Sequence, residues 1–117
     1  MIRKLKIGET YYELNEVNVR GYWDVTDGTD VWVDENNYQH NEPGLPSYLW
    51  YRDEEKKELI FEEYRKHGKL HNLNGYATLQ YTNKGQIMVS SYWIDGKCYE
   101  KDEFDIEVNR IKILDEI

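Results

Sequence analysis

Two short stretches of this chain nearly duplicate each other. His40-Asn41-Glu42-Pro43-Gly44 and His71-Asn72-Leu73-Asn74-Gly75 agree at His, Asn and Gly, 31 positions apart. A second register sets Tyr64, Gly68 and Lys69 over Tyr92, Gly96 and Lys97, 28 positions apart, and Leu59 over Ile87. A period of roughly 30 residues marks a stacked supersecondary unit. The unit reads as an apolar strand, an aromatic, a Gly-Lys turn, a His-Asn-x-x-Gly turn and another strand. Gly68 and Gly96 supply turn conformations that a side chain resists. Gly44 and Gly75 are expected to close the second turn, with His40, His71 and Asn72 bonding turn backbone. Val33, Tyr64 and Tyr92 share one offset from the turns and are expected to stack on one face.

Composition agrees with a sheet built this way. Eleven Tyr, four Trp and two Phe make up 15% of the 117 residues, and Ala77 is the single alanine. Tyr, Trp, Val and Ile favour strands, whereas a helical bundle would be rich in Ala and Leu. The expected fold is mainly β, a meandering antiparallel sheet of repeated hairpins with a C-terminal α-helix. One domain, 1–117, is expected: an N-terminal hairpin region at 1–31, the repeats at 32–101 and the helix at 102–115.

Strands are predicted at 10–14, 17–25, 30–34, 47–52, 76–82 and 86–94, from alternation and flanking turn residues. In the second of these, Val17, Val19 and Trp23 would face one side. Asp27-Gly28 reads as a hairpin turn using positive φ at Gly28, and Asn83-Lys84-Gly85 and Asp95-Gly96 as further hairpin turns. Residues 35–47 hold both prolines and read as an irregular loop. Residues 53–66 read as a hairpin, with a helix capped by Asp53 as the alternative. Asp102 starts a helix whose apolar face is Phe104, Val108, Ile111 and Leu114, with acids suited to its positive end.

The best copy of the unit is Gly68-Lys69-Leu70-His71-Asn72-Leu73-Asn74-Gly75-Tyr76-Ala77. It resembles the degenerate MORN-like repeats of small phage and large-virus proteins, whose pattern runs Gly-Lys-x-His-x-x-x-Gly-Pro-Ala. Tyr76 stands where that pattern has Pro, and Tyr99 where it has His. The resemblance covers about residues 32–104. It implies a repeat scaffold in a virus-encoded accessory protein and is silent on activity.

Charge narrows the classes of function. The chain carries 15 basic and 23 acidic groups, net -8. A nucleic-acid binder needs a basic field to replace phosphate counterions, so direct nucleic-acid binding is not expected. Residues 1–58 hold 7 basic and 13 acidic groups, against 8 and 10 in 59–117. No apolar run is long enough to span a membrane, and no secretory leader is visible. With a lone Cys98, a reducing, cytoplasmic setting is expected (the host cytoplasm, if the chain is viral).

Catalytic and metal motifs are not expected. His67 and His71 have a helical metal spacing, but Gly68 opposes a helix and no cysteine pair supports them. No phosphate-binding glycine motif or nucleophile elbow occurs. Cys98 reads as a half-buried residue at the Leu70 position of the unit. No cofactor is expected, and His40 with His71 would be the only candidates for a hydrolase. The expected function is non-catalytic protein binding. As a virus-encoded accessory factor it would act on a host defence or gene-expression protein, basic or nucleic-acid-binding in character, through an acidic aromatic surface of Glu42, Tyr48, Trp50, Asp53, Glu54, Glu55 and Glu58 in and beside an exposed segment at 36–52. The alternative is a module that sequesters a nucleotide or sugar between aromatics. Most tryptophans are expected in the core, and strands 10–14 and 47–52 as edges for dimerisation.

Overall fold

The computed structural model describes residues 1–14 and 20–115. Among the described residues, eleven strands precede one helix: β1 (Arg3–Lys4), β2 (Thr10–Leu14), β3 (Arg20–Asp24), β4 (Thr29–Val33), β5 (Tyr48–Tyr51), β6 (Leu59–Glu63), β7 (Arg65–Lys66), β8 (Lys69–Leu70), β9 (Thr78–Tyr81), β10 (Ile87–Ile94), β11 (Lys97–Tyr99) and α1 (Lys101–Asp115). Seven strands form one antiparallel sheet in the order β1-β4-β5-β6-β9-β10-β11, while β2-β3 and β7-β8 form two-stranded ribbons. The expected mainly β meander with a closing helix is what the chain forms. The predicted positions Val17 and Val19 lie outside the described residues.

Register fixes the faces of the sheet, because side chains alternate along a strand. Tyr48 opposes Glu63 and Trp50 opposes Phe61; Phe61 opposes Gln80 and Glu63 opposes Thr78. These residues share one face. The other face carries Leu49, Glu62 and Leu79, and there Glu62 accepts hydrogen bonds from the Tyr64 and Tyr81 hydroxyls. Two apolar clusters anchor the molecule. Tyr11 of β2 packs with Leu5, Val25, Val31 and Val33, and Tyr48 lies against them. Phe104 and Val108 of the helix pack with Ile94, joined by Leu73, Tyr92, Tyr99 and Ile111. Burying such side chains stabilises each by about 1.5–3 kcal/mol.

The repeat is visible in the hydrogen bonds. Asn41 accepts from the Glu42 N–H and donates to the Pro46 carbonyl, both at 2.8 Å. Asn72 accepts from the Asn74 N–H at 2.9 Å and donates to the Tyr76 carbonyl at 2.8 Å. Both asparagines therefore brace their own loops. The histidines act one unit further on. His40 Nδ1 accepts from the His67 N–H at 2.9 Å, and His71 Nδ1 from the Asp95 N–H at 3.0 Å. Each histidine thus pins the Gly-Lys turn of the following hairpin, not its own. Those turns, His67-Gly68 and Asp95-Gly96, have positive φ at both residues, 48° and 88°, then 47° and 83°. This is the two-residue geometry that matches strand twist.

Several expectations need correction. Thr26 to Thr29 is a turn, but β3 and β4 do not pair across it. Gly28 keeps an ordinary φ; it is glycine because a Cβ would sit 3.2 Å from the Tyr51 carbonyl. Gly44 has a positive φ of 84° and Gly75 does not, and the Asn41 loop is one residue longer before its carbonyl partner. Residues 53–66 are a hairpin, and the helical alternative fails because β6 pairs with β5 and β9. Strand 47–52 is interior to the sheet, so it cannot serve as an edge. Val33 joins the first cluster and Tyr92 the second, so they do not stack with Tyr64; Tyr92 stacks instead between Tyr76 and Phe104. Leu114 is exposed near the helix end. Cys98 is exposed on the edge strand β11. No tryptophan belongs to the buried core among the described residues.

Candidate functional site

Where the β2-β3 ribbon stops covering the sheet, a cleft of about 400 Å3 opens. Its walls are Tyr11, Trp23, Tyr48, Trp50 and Phe61, and its polar groups are Glu13, Gln39, Glu63, Arg65 and Gln80. Alternation explains the set. Tyr11 and Glu13 are two apart on β2, Tyr48 and Trp50 on β5, and Phe61 and Glu63 on β6, so each strand turns one pair inward. Trp23 is 49% and Trp50 48% exposed, which leaves aromatic faces open at the rim. Tyr48 meets Phe61 edge to face at 6.2 Å, a favoured aromatic geometry.

The floor is charged and mostly buried. Arg65 donates from Nη2 to Glu13 at 2.6 Å and from Nε to Glu63 at 2.5 Å. Its Nη1 donates to the Leu14 and Gly68 carbonyls at 3.0 and 2.7 Å. The three side chains are only 8 to 13% exposed. One guanidinium therefore faces two carboxylates, a desolvated arrangement that pairing must offset. Burial pushes Glu13 up to about 7, the neighbouring Glu63 adds to this, and Arg65 opposes it. Burial and the same two glutamates push the Tyr48 phenol up to about 12, and Tyr11 rises for similar reasons.

A buried polar chain supports the floor from behind. Gln39 Nε2 donates to the Tyr11 hydroxyl at 3.4 Å, and Ser47 Oγ donates to Gln39 Oε1 at 2.8 Å. Ser47 Oγ in turn accepts from the Arg65 N–H at 3.0 Å. Gln39 and Ser47 are at most 1% exposed. Satisfied networks of this kind hold a floor in one arrangement, which an apolar floor does less strictly.

The structure separates the predicted recognition residues. Tyr48 and Trp50 line the cleft. Glu42 lies beyond the start of β5, beside Trp32, Leu45 and Pro46 in a shallow depression. Asp53, Glu54, Glu55 and Glu58 lie in the turn beyond its other end, about 13 Å of strand away. Asp53 caps that turn through the Lys57 and Glu58 N–H groups, both at 3.1 Å. Glu58 pairs with Arg52 and Glu55 with Lys57. The turn is thus braced by its own charges. Sequence reasoning missed Tyr11, Glu13, Gln39, Phe61, Glu63, Arg65 and Gln80 as site residues. The signal available was Glu63-x-Arg65 after an apolar strand, two like-facing charges where a strand would normally stay apolar.

His40, His67 and Asp34 form a separate cluster. His40 and His67 stack with ring centres 3.9 Å apart, and His67 Nδ1 lies 2.7 Å from Asp34 Oδ2. Burial and then the neighbouring His67 lower His40. Burial alone would raise Asp34, but bonds from His67, Tyr38 and Asn36 outweigh it and hold the carboxyl low. No group of metal-ligating side chains occurs among the described residues, and no helix among them is long and apolar enough to cross a membrane. No protein-family model matches the chain, and no curated protein or solved structure resembles it beyond chance.

Proposed function

We propose that this protein is a non-catalytic binding module that sequesters a small organic ligand in the aromatic cleft. The carrying observation is the cleft itself: five aromatic side chains around a mostly buried Glu13-Arg65-Glu63 floor. Its volume falls in the usual ligand-pocket range of roughly 300–1,000 Å3. Aromatic faces grip a ring or alkyl body, and few fixed polar groups set its orientation. The test is a tryptophan fluorescence titration against panels of amines, glycans and nucleosides. A saturable response is expected, and it should vanish in Trp50→Ala. Absence of any response across the panels would end this reading.

A second reading is favoured by one further observation. Tyr22, Trp23 and Trp50 are 70, 49 and 48% exposed, and half-open aromatics of this kind anchor protein interfaces. On that reading the protein binds a basic partner protein through an acidic, aromatic surface, in the virus-encoded, host-directed setting implied by the MORN-like pattern. Charge reversal at Asp53, Glu54 and Glu55 would weaken such a partner's association, whereas ligand binding in the cleft would be unchanged.

A further inference from the structure

We propose that the ligand of the cleft is an organic cation, an alkylammonium or guanidinium group on an apolar body, with the cationic head on the Glu13 and Glu63 carboxylates. The inference rests on the cleft being the binding site. Its first support is the charge count at the floor. Two carboxylates share one guanidinium, and that guanidinium is already committed to Glu13, Glu63 and two backbone carbonyls. Among the described residues, an anionic ligand such as a nucleotide phosphate finds no free cation there and meets two acids. With a neutral ligand the floor is balanced only while one of the two carboxylates keeps a proton. A cation restores neutrality in a place where unbalanced charge is costly.

The walls give the second support. Trp23, Trp50, Tyr48 and Phe61 line the cleft, and aromatic rings attract a cation through their quadrupoles while also accepting an apolar body. The third is the surrounding field, since an acidic chain of net -8 raises the local concentration of cations at a cleft mouth.

Binding on this floor exchanges one positive charge for another. The groups facing Glu13 are Glu63 from β6, Arg65 from β7, Tyr48 from β5 and Tyr11 from its own strand. Burial and Glu63 favour a proton on this pair up to about pH 7. The ligand's head takes that proton's place, so the proton leaves to solvent as the cation arrives. Affinity for the cation therefore rises with pH as the floor loses its proton. The cation can reach the floor on a free amine or on a lysine side chain, and the chemistry at Glu13 is the same for both.

The experiment compares three probes of one shape and different charge: phenethylamine, 2-phenylethanol and phenylacetate. Calorimetric titration of the intact protein should show phenethylamine bound at least about ten-fold more tightly than the alcohol. Phenylacetate should not bind. Tightening of the amine from about pH 6 to about pH 8, with a heat that depends on buffer ionisation, reports the released proton. Glu13→Gln keeps the shape and an acceptor for Arg65, and should abolish both the preference and the pH dependence. A capped Gly-Lys-Gly peptide as a fourth arm separates the sources: tighter binding than the free amine assigns the cation to a protein. Equal or tighter binding of 2-phenylethanol, lost in Trp50→Ala, overturns the cation while keeping the cleft as the site. No heat and no fluorescence change with any probe overturns both.

Discussion

The two copies of the His-Asn loop have the same exterior and opposite interiors. Both brace themselves with an asparagine, and both pin the next hairpin with a histidine. Behind the first loop stand Gln39 and Ser47, hydrogen-bonded to each other and to Tyr11 and Arg65. At the matching places behind the second stand Leu70 and Ala77, buried and apolar. The scaffold does not require polar groups there, since the second copy folds the same way without them. The polar interior is found only where the cleft floor must be held. The difference marks one copy as scaffold and the other as scaffold turned to binding.

The strongest way to break this comparison is at Arg65. Arg65→Leu leaves Glu13 and Glu63 buried without their counter-charge. The expected loss is about 3–5 kcal/mol in denaturant unfolding, partly recovered in acid as the carboxylates take protons. A loss below about 1 kcal/mol would mean that the floor is wetter than its burial indicates. In the apolar copy, Leu70→Ala should cost about 2–4 kcal/mol through the cavity it leaves. Thermal unfolding should show no change in pH dependence for this variant, because no titrating group is touched.

A transplant sharpens the contrast. Gln39→Leu with Ser47→Ala gives the first copy the interior of the second. The fold should survive, at a cost of about 1–3 kcal/mol for the orphaned Arg65 N–H and Tyr11 hydroxyl. Circular dichroism checks the fold, and ligand binding should fall because the floor is no longer fixed.

The smallest effects concern protons. His40→Ala and His71→Ala should each cost about 1 kcal/mol at neutral pH, one hydrogen bond to a turn. Burial lowers both histidines below the ordinary 6.5, so the folded protein prefers them neutral. The unfolded chain then takes protons first, and the stability they contribute is lost as pH falls below 6.5. The cleft has the opposite sign. Glu13 rises from 4.5 to about 7, so its contribution is present below 4.5 and lost as pH climbs through 7. Glu13→Gln should flatten the alkaline side of the stability profile, and the His→Ala pair the acid side.

Much of the scaffold was legible because it is written locally. Gly68 and Gly96 mark their turns, alternation marks β9 and β10, and Phe104 with Val108 marks the helix face. The Gly28 error came from a contact across the sheet, since Tyr51 is distant in sequence and its approach leaves no local trace. The site was less legible for the same reason. Tyr48 and Trp50 stood out as aromatics, but Glu13, Glu63 and Arg65 looked like ordinary solvated charges. Only the packing of the β2-β3 ribbon against the sheet brings them together and buries them. The acids at 53–58 were conspicuous as a run, yet they serve mostly to brace their own turn.

The four tryptophans offer the most direct test of the central claim, that binding is confined to the cleft of the polar copy. Trp23 and Trp50 line it, while Trp32 and Trp93 do not. In a titration with phenethylamine followed by the indole N–H resonances, the account predicts saturable shifts of Trp23 and Trp50 with Trp32 and Trp93 unmoved. Four unmoved resonances, or shifts led by Trp32 or Trp93, would contradict it.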